Sequence, residues 1–281
     1  MKRILALTDF SDHAAHALEY ACNFANCFGT EELIILNTYE IIPLYDSGES
    51  ASFSIAMQQT EELETQRKLE LEKLLTTTRT KLNKEVKTSA MLSNSNLINA
   101  VNDICLSKRV DLVIMGIKVK DEIEQVLLGS HAHRAIEKFH TPVMVVPINA
   151  DITQPEKIIL VTNFYEAENS KLLGKLKKLL EMLNAKILIA HKLRKDEDRT
   201  QTETKAAWIQ NQLKDFEPVV NIIDDEKDLG DNVNQLATDN NASLVISLHK
   251  KRGFFSRIFH NSTTKYLAWH SRVPVLVLHF E

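Results

Sequence analysis

The 281-residue sequence has no Gly-x-Ser-x-Gly elbow, no P-loop lysine and no pair spacing of a zinc site. Serine-hydrolase chemistry, Walker-type phosphate binding and structural zinc therefore each lack their usual framework. Cysteine is scarce as well. Cys22, Cys27 and Cys105 are odd in number, and Cys22 and Cys105 fall on apolar faces of predicted helices. That pattern reads as reduced, buried thiols and excludes a disulfide scaffold. No apolar run approaches the roughly 18 residues needed to cross a bilayer. The N-terminus begins basic, but its apolar run meets Asp9 too soon for a signal peptide. With 26% charged residues and a net charge of -4, neither sign dominates, which gives no general pull toward nucleic acid or an anionic membrane. The expectation is a cytoplasmic protein with neither as partner.

What the chain does have is a segment that occurs twice. Asp111-Leu112-Val113-Ile114-Met115-Gly116 runs on to Gly129-Ser130 and Thr141-Pro142-Val143-Met144-Val145-Val146-Pro147. Ser243-Leu244-Val245-Ile246-Ser247-Leu248 runs on to Asn261-Ser262 and Val273-Pro274-Val275-Leu276-Val277-Leu278. Gly116 to Pro142 and Leu248 to Pro274 both span 26 positions, so the copies align without a gap. The apolar strands match and the glycines do not, which predicts one fold used twice with a ligand site kept in the first copy.

Periodicity fills in the rest. Strands are predicted over Lys2–Thr8, Glu32–Tyr39, Glu85–Leu92, Val110–Met115 and Val143–Pro147. Helices fall between them: one capped by Ser11 or Asp12, one over Glu61–Leu82, one over Asn96–Ser107 capped by Asn94 or Ser95, and one over Ser130–Phe139. Ile41–Ser54 reads as a loop free to move. The second half repeats the order, with strands over Ile158–Thr162, Lys186–His191, Val219–Asp224, Leu244–Leu248 and Val275–Leu278. Its helices are predicted over Glu168–Leu183, Thr202–Lys214, Asn232–Asp239 and Ser262–Trp269. The fold class is α/β: two repeated five-stranded parallel-sheet domains, 1–149 and 155–281, joined by a short polar linker.

In an open parallel sheet, ligands gather beyond the carboxyl ends of the strands where strand order reverses. Thr8 and Asp9 follow the first strand, Thr38 ends the second, and Met115-Gly116 ends the fourth. Gly129-Ser130-His131 opens the next helix, whose N-terminal N–H groups favour an anion. Asp9 can accept hydrogen bonds from a ribose or a base edge. The bland alternative is that Gly116 and Gly129 are only turn and cap residues. His131 and His133, two apart on a helix, point to different faces, so no shared metal is expected. The cluster Arg194-Lys195-Asp196-Glu197-Asp198-Arg199 reads as a solvated loop.

Gly116, two residues, Val119, nine residues and Gly129-Ser130, together with Asp9 after the first strand and the doubled Pro-Val endings, resemble the universal stress protein family. The resemblance covers nearly the whole chain in two copies. It implies an adenine nucleotide alpha hydrolase-like fold, with the domains packed as an internal pseudo-twofold dimer through antiparallel fifth strands, Val143–Val146 against Val275–Leu278. It also implies ATP or another adenine nucleotide at Thr8, Asp9, Thr38, Met115, Gly116, Gly129, Ser130 and His131. No metal is implied beyond magnesium carried by the nucleotide. Val119 stands where the family pattern has a glycine, and its β-branched side chain adds bulk where phosphate would lie. The second copy departs further, with Asn163, Leu248, Lys251 and Asn261 at the places of Asp9, Gly116, Val119 and Gly129.

The function this predicts is stress-response binding and signalling rather than metabolic catalysis. The first domain would sense a nucleotide, the second would serve as a scaffold, and an unidentified protein would be the partner. A further homodimer stays open. The alternatives are a scaffold without ligand, a slow ATPase, or a protein taking a lipid or metabolite in its second half.

Overall fold

The computed structural model describes residues 1–40, 50–117, 137–162, 164, 170–193, 195, 197–224, 229–250 and 271–280. These form two compact units, Met1–Gly116 and Ile117–Glu281.

In the first unit, β1 (Arg3–Leu7), β2 (Glu32–Tyr39), β3 (Lys87–Asn94) and β4 (Leu112–Ile117) make a parallel sheet in the order β3-β2-β1-β4. β1 lies between β2 and β4, pairing Leu5 with Ile34 on one side and with Val113 on the other. Ile4, Leu5, Leu33, Ile34, Ile35, Leu112, Val113 and Ile114 are fully buried, as strands covered on both faces require. Helix α1 (Asp12–Cys27) packs its small stripe of Ala14, Ala17, Ala21 and Ala25 inward, and Ser11 caps it by accepting from the Ala14 N–H. Gly29, with φ +63°, supplies the left-handed residue that lets the chain leave α1 for β2.

Two expectations are corrected here. Helix α2 runs from Ser50 to Lys81, so residues 50–54 are helical rather than loop; residues 41–49 lie outside those described. A stretch without apolar periodicity is still helical because nothing in Ser50–Thr60 breaks a helix; periodicity reports which face is buried, not whether a helix forms. Helix α3 (Leu97–Lys108) is capped by Asn96 rather than Asn94 or Ser95, because β3 continues to Asn94.

In the second unit, β6 (Lys157–Val161), β7 (Lys186–Lys192), β8 (Val219–Ile223) and β9 (Leu244–Lys250) are parallel in the order β9-β6-β7-β8. β10 (Val275–Phe280) runs parallel to β9 on its far side. β5 (Val143–Pro147) then pairs antiparallel with β10, matching Val143, Met144 and Val145 with Val277, Leu276 and Val275. This is the strand contact expected from the resemblance. Helix α4 (Ser170–Leu183) buries Leu172, Leu173, Leu176, Leu179, Leu180 and Leu183 at helical spacing. Helices α5 (Arg199–Gln212) and α6 (Leu229–Asn240) follow β7 and β8. The helices expected over Ser130–Phe139 and Ser262–Trp269 lie almost wholly outside the described residues.

Cys22 and Cys105 are buried and in no disulfide, as their positions predicted, and Cys27 is exposed. Burial raises the Cys22 thiol to about 11, which keeps it protonated and unreactive at neutral pH. No described helix is long and apolar enough to cross a membrane.

Candidate functional site

The carboxyl ends of β1, β2 and β4 carry the polar residues of the first unit. Thr8 is held by the sheet: its N–H donates to the Leu36 carbonyl at 2.9 Å, and its own carbonyl accepts from Asn37 Nδ2 at 2.7 Å. Its hydroxyl turns forward and accepts the Phe10 N–H at 3.0 Å. Phe10 is left-handed, with φ 67°, an uncommon state for a bulky residue. This turn aims Asp9 away from the sheet and leaves its side chain 65% exposed.

Asp9 is the centre of a small hydrogen-bonded cluster. Its Oδ1 accepts from the Ser11 N–H at 3.0 Å and from the Ser11 hydroxyl. That hydroxyl, with its one proton given to Asp9, accepts from the Ala14 N–H at 3.4 Å and from His13 Nε2 at 3.0 Å. His13 Nε2 also lies 3.7 Å from Asp9 Oδ2. Partial burial pushes the Asp9 carboxyl upward, but the two Ser11 hydrogen bonds and the nearby His13 outweigh it, so the group ends below the usual aspartate value and stays ionised.

Serine, histidine and aspartate side by side suggest a nucleophile, but the geometry argues otherwise. A working triad sets the carboxylate on the far ring nitrogen and leaves the serine hydroxyl facing substrate. Here the carboxylate and the serine meet the same nitrogen, Nε2, and the serine is occupied as the cap of α1.

Gly116 closes the cluster from the β4 side. A Cβ there would sit 2.1 Å from the His13 carbonyl oxygen, so only glycine lets β4 and the first turn of α1 come this close. Packing alone accounts for this glycine, and the same contact brings Gly116 against the backbone of His13 and Ala14. Thr38 is half-buried, one residue beyond Asn37 on β2, and Met115 is buried. Gly129, Ser130, His131 and Val119 lie outside the described residues.

Two participants were not among the expected residues. Asn37 is buried at the end of β2, and its Oδ1 accepts from Arg67 Nη1 of α2 at 3.3 Å. The Arg67 guanidinium also lies over the Phe10 ring, 5.7 Å from its centroid.

The second unit builds the same corner with different side chains. Thr162 N–H donates to the Ala190 carbonyl at 3.1 Å, as Thr8 does to Leu36. His191 takes the place of Asn37, and its Nδ1 meets the Thr162 carbonyl at 3.2 Å. Phe164, in the place of Phe10, stacks on the His191 ring at 4.2 Å with 17° between planes. His191 Nε2 then meets Glu197 at 3.1 Å, with both side chains only 3% exposed. With Nδ1 donating to a carbonyl, this contact holds a proton between ring and carboxylate. The Arg194–Arg199 cluster is thus not simply a solvated loop. Glu197 is buried against His191, Asp198 caps α5, and Arg199 pairs with Glu203 and Asp224. Mixed charge in sequence hid one carboxylate that has a buried partner. No group of metal-ligating side chains occurs among the described residues.

A universal stress protein of Methanocaldococcus jannaschii is 29% identical over 149 residues, covering 52% of this chain and 81% of that protein. The structure is similar to that of a universal stress protein from Archaeoglobus fulgidus, with a TM-score of 0.68, 17% identity, and coverage of 99% of this chain and 98% of that one. A second similar structure, described as a putative universal stress protein from Pseudomonas aeruginosa, has a TM-score of 0.58 at 12% identity and covers 99% of this chain and 93% of its own. The sequence profile of the universal stress protein family matches residues 1–147 and again 156–279, and the chain belongs to that family, carrying its domain twice.

Proposed function

We propose that the chain is a cytoplasmic stress-response signalling protein whose first domain, 1–149, binds an adenine nucleotide, ATP or AMP. In this reading the second domain, 155–281, acts as scaffold or partner surface. The observation that carries it is the contrast between the two corners. In the first, an ionised, exposed Asp9 keeps acceptor capacity for a ribose or base edge, and Gly116 lies against the backbone of His13, the residue that also meets Asp9. In the second, the sequence has Asn163 and Leu248 at those two places, and the neighbouring His191 is buried against Glu197 and Phe164. Gly129 and Ser130, which lie outside the described residues, are the sequence's candidates for the phosphates, and any magnesium would arrive with the nucleotide. His131, next to Ser130 in sequence, belongs to the same candidate set.

Binding without turnover suits this cluster, since the Ser11 hydroxyl is taken up as the cap of α1 and as a donor to Asp9. A nucleotide acts as a signal only when it favours one conformation over another. The test is mass spectrometry of any nucleotide released when the purified protein is denatured, repeated on Gly129→Leu. An adenine nucleotide carried by the wild type and missing from Gly129→Leu supports the reading. Protein that is empty, and that does not bind ATP, ADP or AMP in calorimetry, contradicts it and leaves the scaffold.

A further inference from the structure

Arg67 brings a cation to the first-unit corner from α2, outside the β1–α1 turn. It is half-buried, and it is held there by neutral groups: the Asn37 amide oxygen at 3.3 Å and the face of Phe10 at 5.7 Å. No carboxylate pairs with it among the described residues, although its helix carries Glu61, Glu62, Glu64, Glu70 and Glu72. Glu64 and Glu70, each three residues away, are engaged elsewhere: Glu64 by Lys68 and the Tyr39 hydroxyl, Glu70 by the Gln66 amide. The Nε–H of Arg67 is shut away from solvent without a hydrogen-bond partner.

A guanidinium is always charged and presents its donors in a planar fork. Leaving one of those donors buried and unmet is unfavourable, and few native groups are left so. The fork is therefore held short of its full complement of acceptors, at the end of β2 and beside the residues that would hold the ligand. One Nη is spent on Asn37, and the Nε side of the fork, closed to solvent in this conformation, is what a small turn of the side chain would offer to two acceptors set next to each other.

We infer that Arg67 is a ligand-contacting, specificity-determining residue of the first-unit site, reading a pair of adjacent acceptors on the bound nucleotide. The inference rests on the nucleotide reading above and adds what the β2 side of the site selects. Two parts of a nucleotide offer such a pair: two phosphate oxygens, or the O6 and N7 of a 6-oxopurine. Adenine offers a donor beside N7 and matches the fork less well.

Calorimetric titration of the full chain with adenosine, AMP and GMP tests it, on wild type, Arg67→Gln and Arg67→Lys. The wild type should bind at least one nucleotide about tenfold or more tightly than adenosine. Arg67→Gln should erase that preference without changing the affinity for adenosine. Arg67→Lys, which keeps the charge and loses the fork, should restore it only in part. AMP and GMP bound alike and above adenosine would assign the pair to phosphate; GMP bound above AMP would assign it to the base. Equal weakening of all three ligands by Arg67→Gln, or no weakening of any, would overturn the role of Arg67 while the nucleotide reading stood. No binding of any of the three by the wild type would overturn both.

Discussion

The two units solve one backbone problem in two ways. Each has a threonine after its first strand, tied to the neighbouring strand by its N–H and capped on its carbonyl by a polar side chain from that strand. In the first unit that side chain is Asn37, and its other end meets a guanidinium with donors to spare. In the second it is His191, and its other end meets Glu197 in a pair almost closed to solvent. Asparagine and histidine are interchangeable as supports for the threonine, but only the first arrangement leaves hydrogen-bonding capacity for something else. Binding capacity here depends on whether the support's own partner is satisfied from within the chain.

Exchanging residues between the units breaks this comparison most directly. Gly116→Leu places the second unit's Leu248 counterpart in the first. Its Cβ alone would lie 2.1 Å from a backbone oxygen, so stability should fall by about 4 kcal/mol in urea denaturation. A loss below about 1 kcal/mol would mean that α1 can move off β4 freely. Glu197→Ala removes one partner of a buried pair and should cost about 3 kcal/mol, again by denaturation. Arg67→Gln, by contrast, touches one long hydrogen bond on a half-buried side chain and should change stability by less than about 1 kcal/mol. Equal losses for Glu197→Ala and Arg67→Gln would erase the distinction between a closed and an open corner.

The double change Asn37→His with Arg67→Glu transplants the closed pair into the first unit. It should leave the fold intact by circular dichroism and remove nucleotide binding. Retained binding would show that the corner's occupancy does not govern the site. The smallest effect is in pH. The Asp9 carboxyl lies below its ordinary value of about 3.9, so its ionised form, and binding through it, should persist as pH falls to that value and decline only below it. A decline beginning above it would mean that Asp9 is not the acceptor.

Much of this was legible in the sequence. The buried strands, Ser11 as one of two candidate caps of α1 and the helix of α4 follow from local pattern, and the antiparallel match of Val143–Val145 with Val275–Val277 follows from the family resemblance. Asn37 and His191 were within reach: each is the first polar residue after four apolar ones in its strand, and each falls at the same place when the copies are aligned. Arg67 and Glu197 gave no such signal. Arg67 lies 30 residues from Asn37 on a helix crowded with exposed charge, and Glu197 sits inside a run of mixed charges. Which member of such a run is buried depends on a tertiary partner that local pattern does not encode. The start of α2 was missed for a related reason, since its first turns carry no apolar stripe.

The central claim, one ligand site kept and one closed, is tested most directly by nucleotide stoichiometry. Equilibrium titration of the full chain with the adenine nucleotide that it carries or binds should saturate at one molecule per chain, and Gly129→Leu should reduce this to none. Saturation at two, or one site that survives Gly129→Leu, would contradict the account.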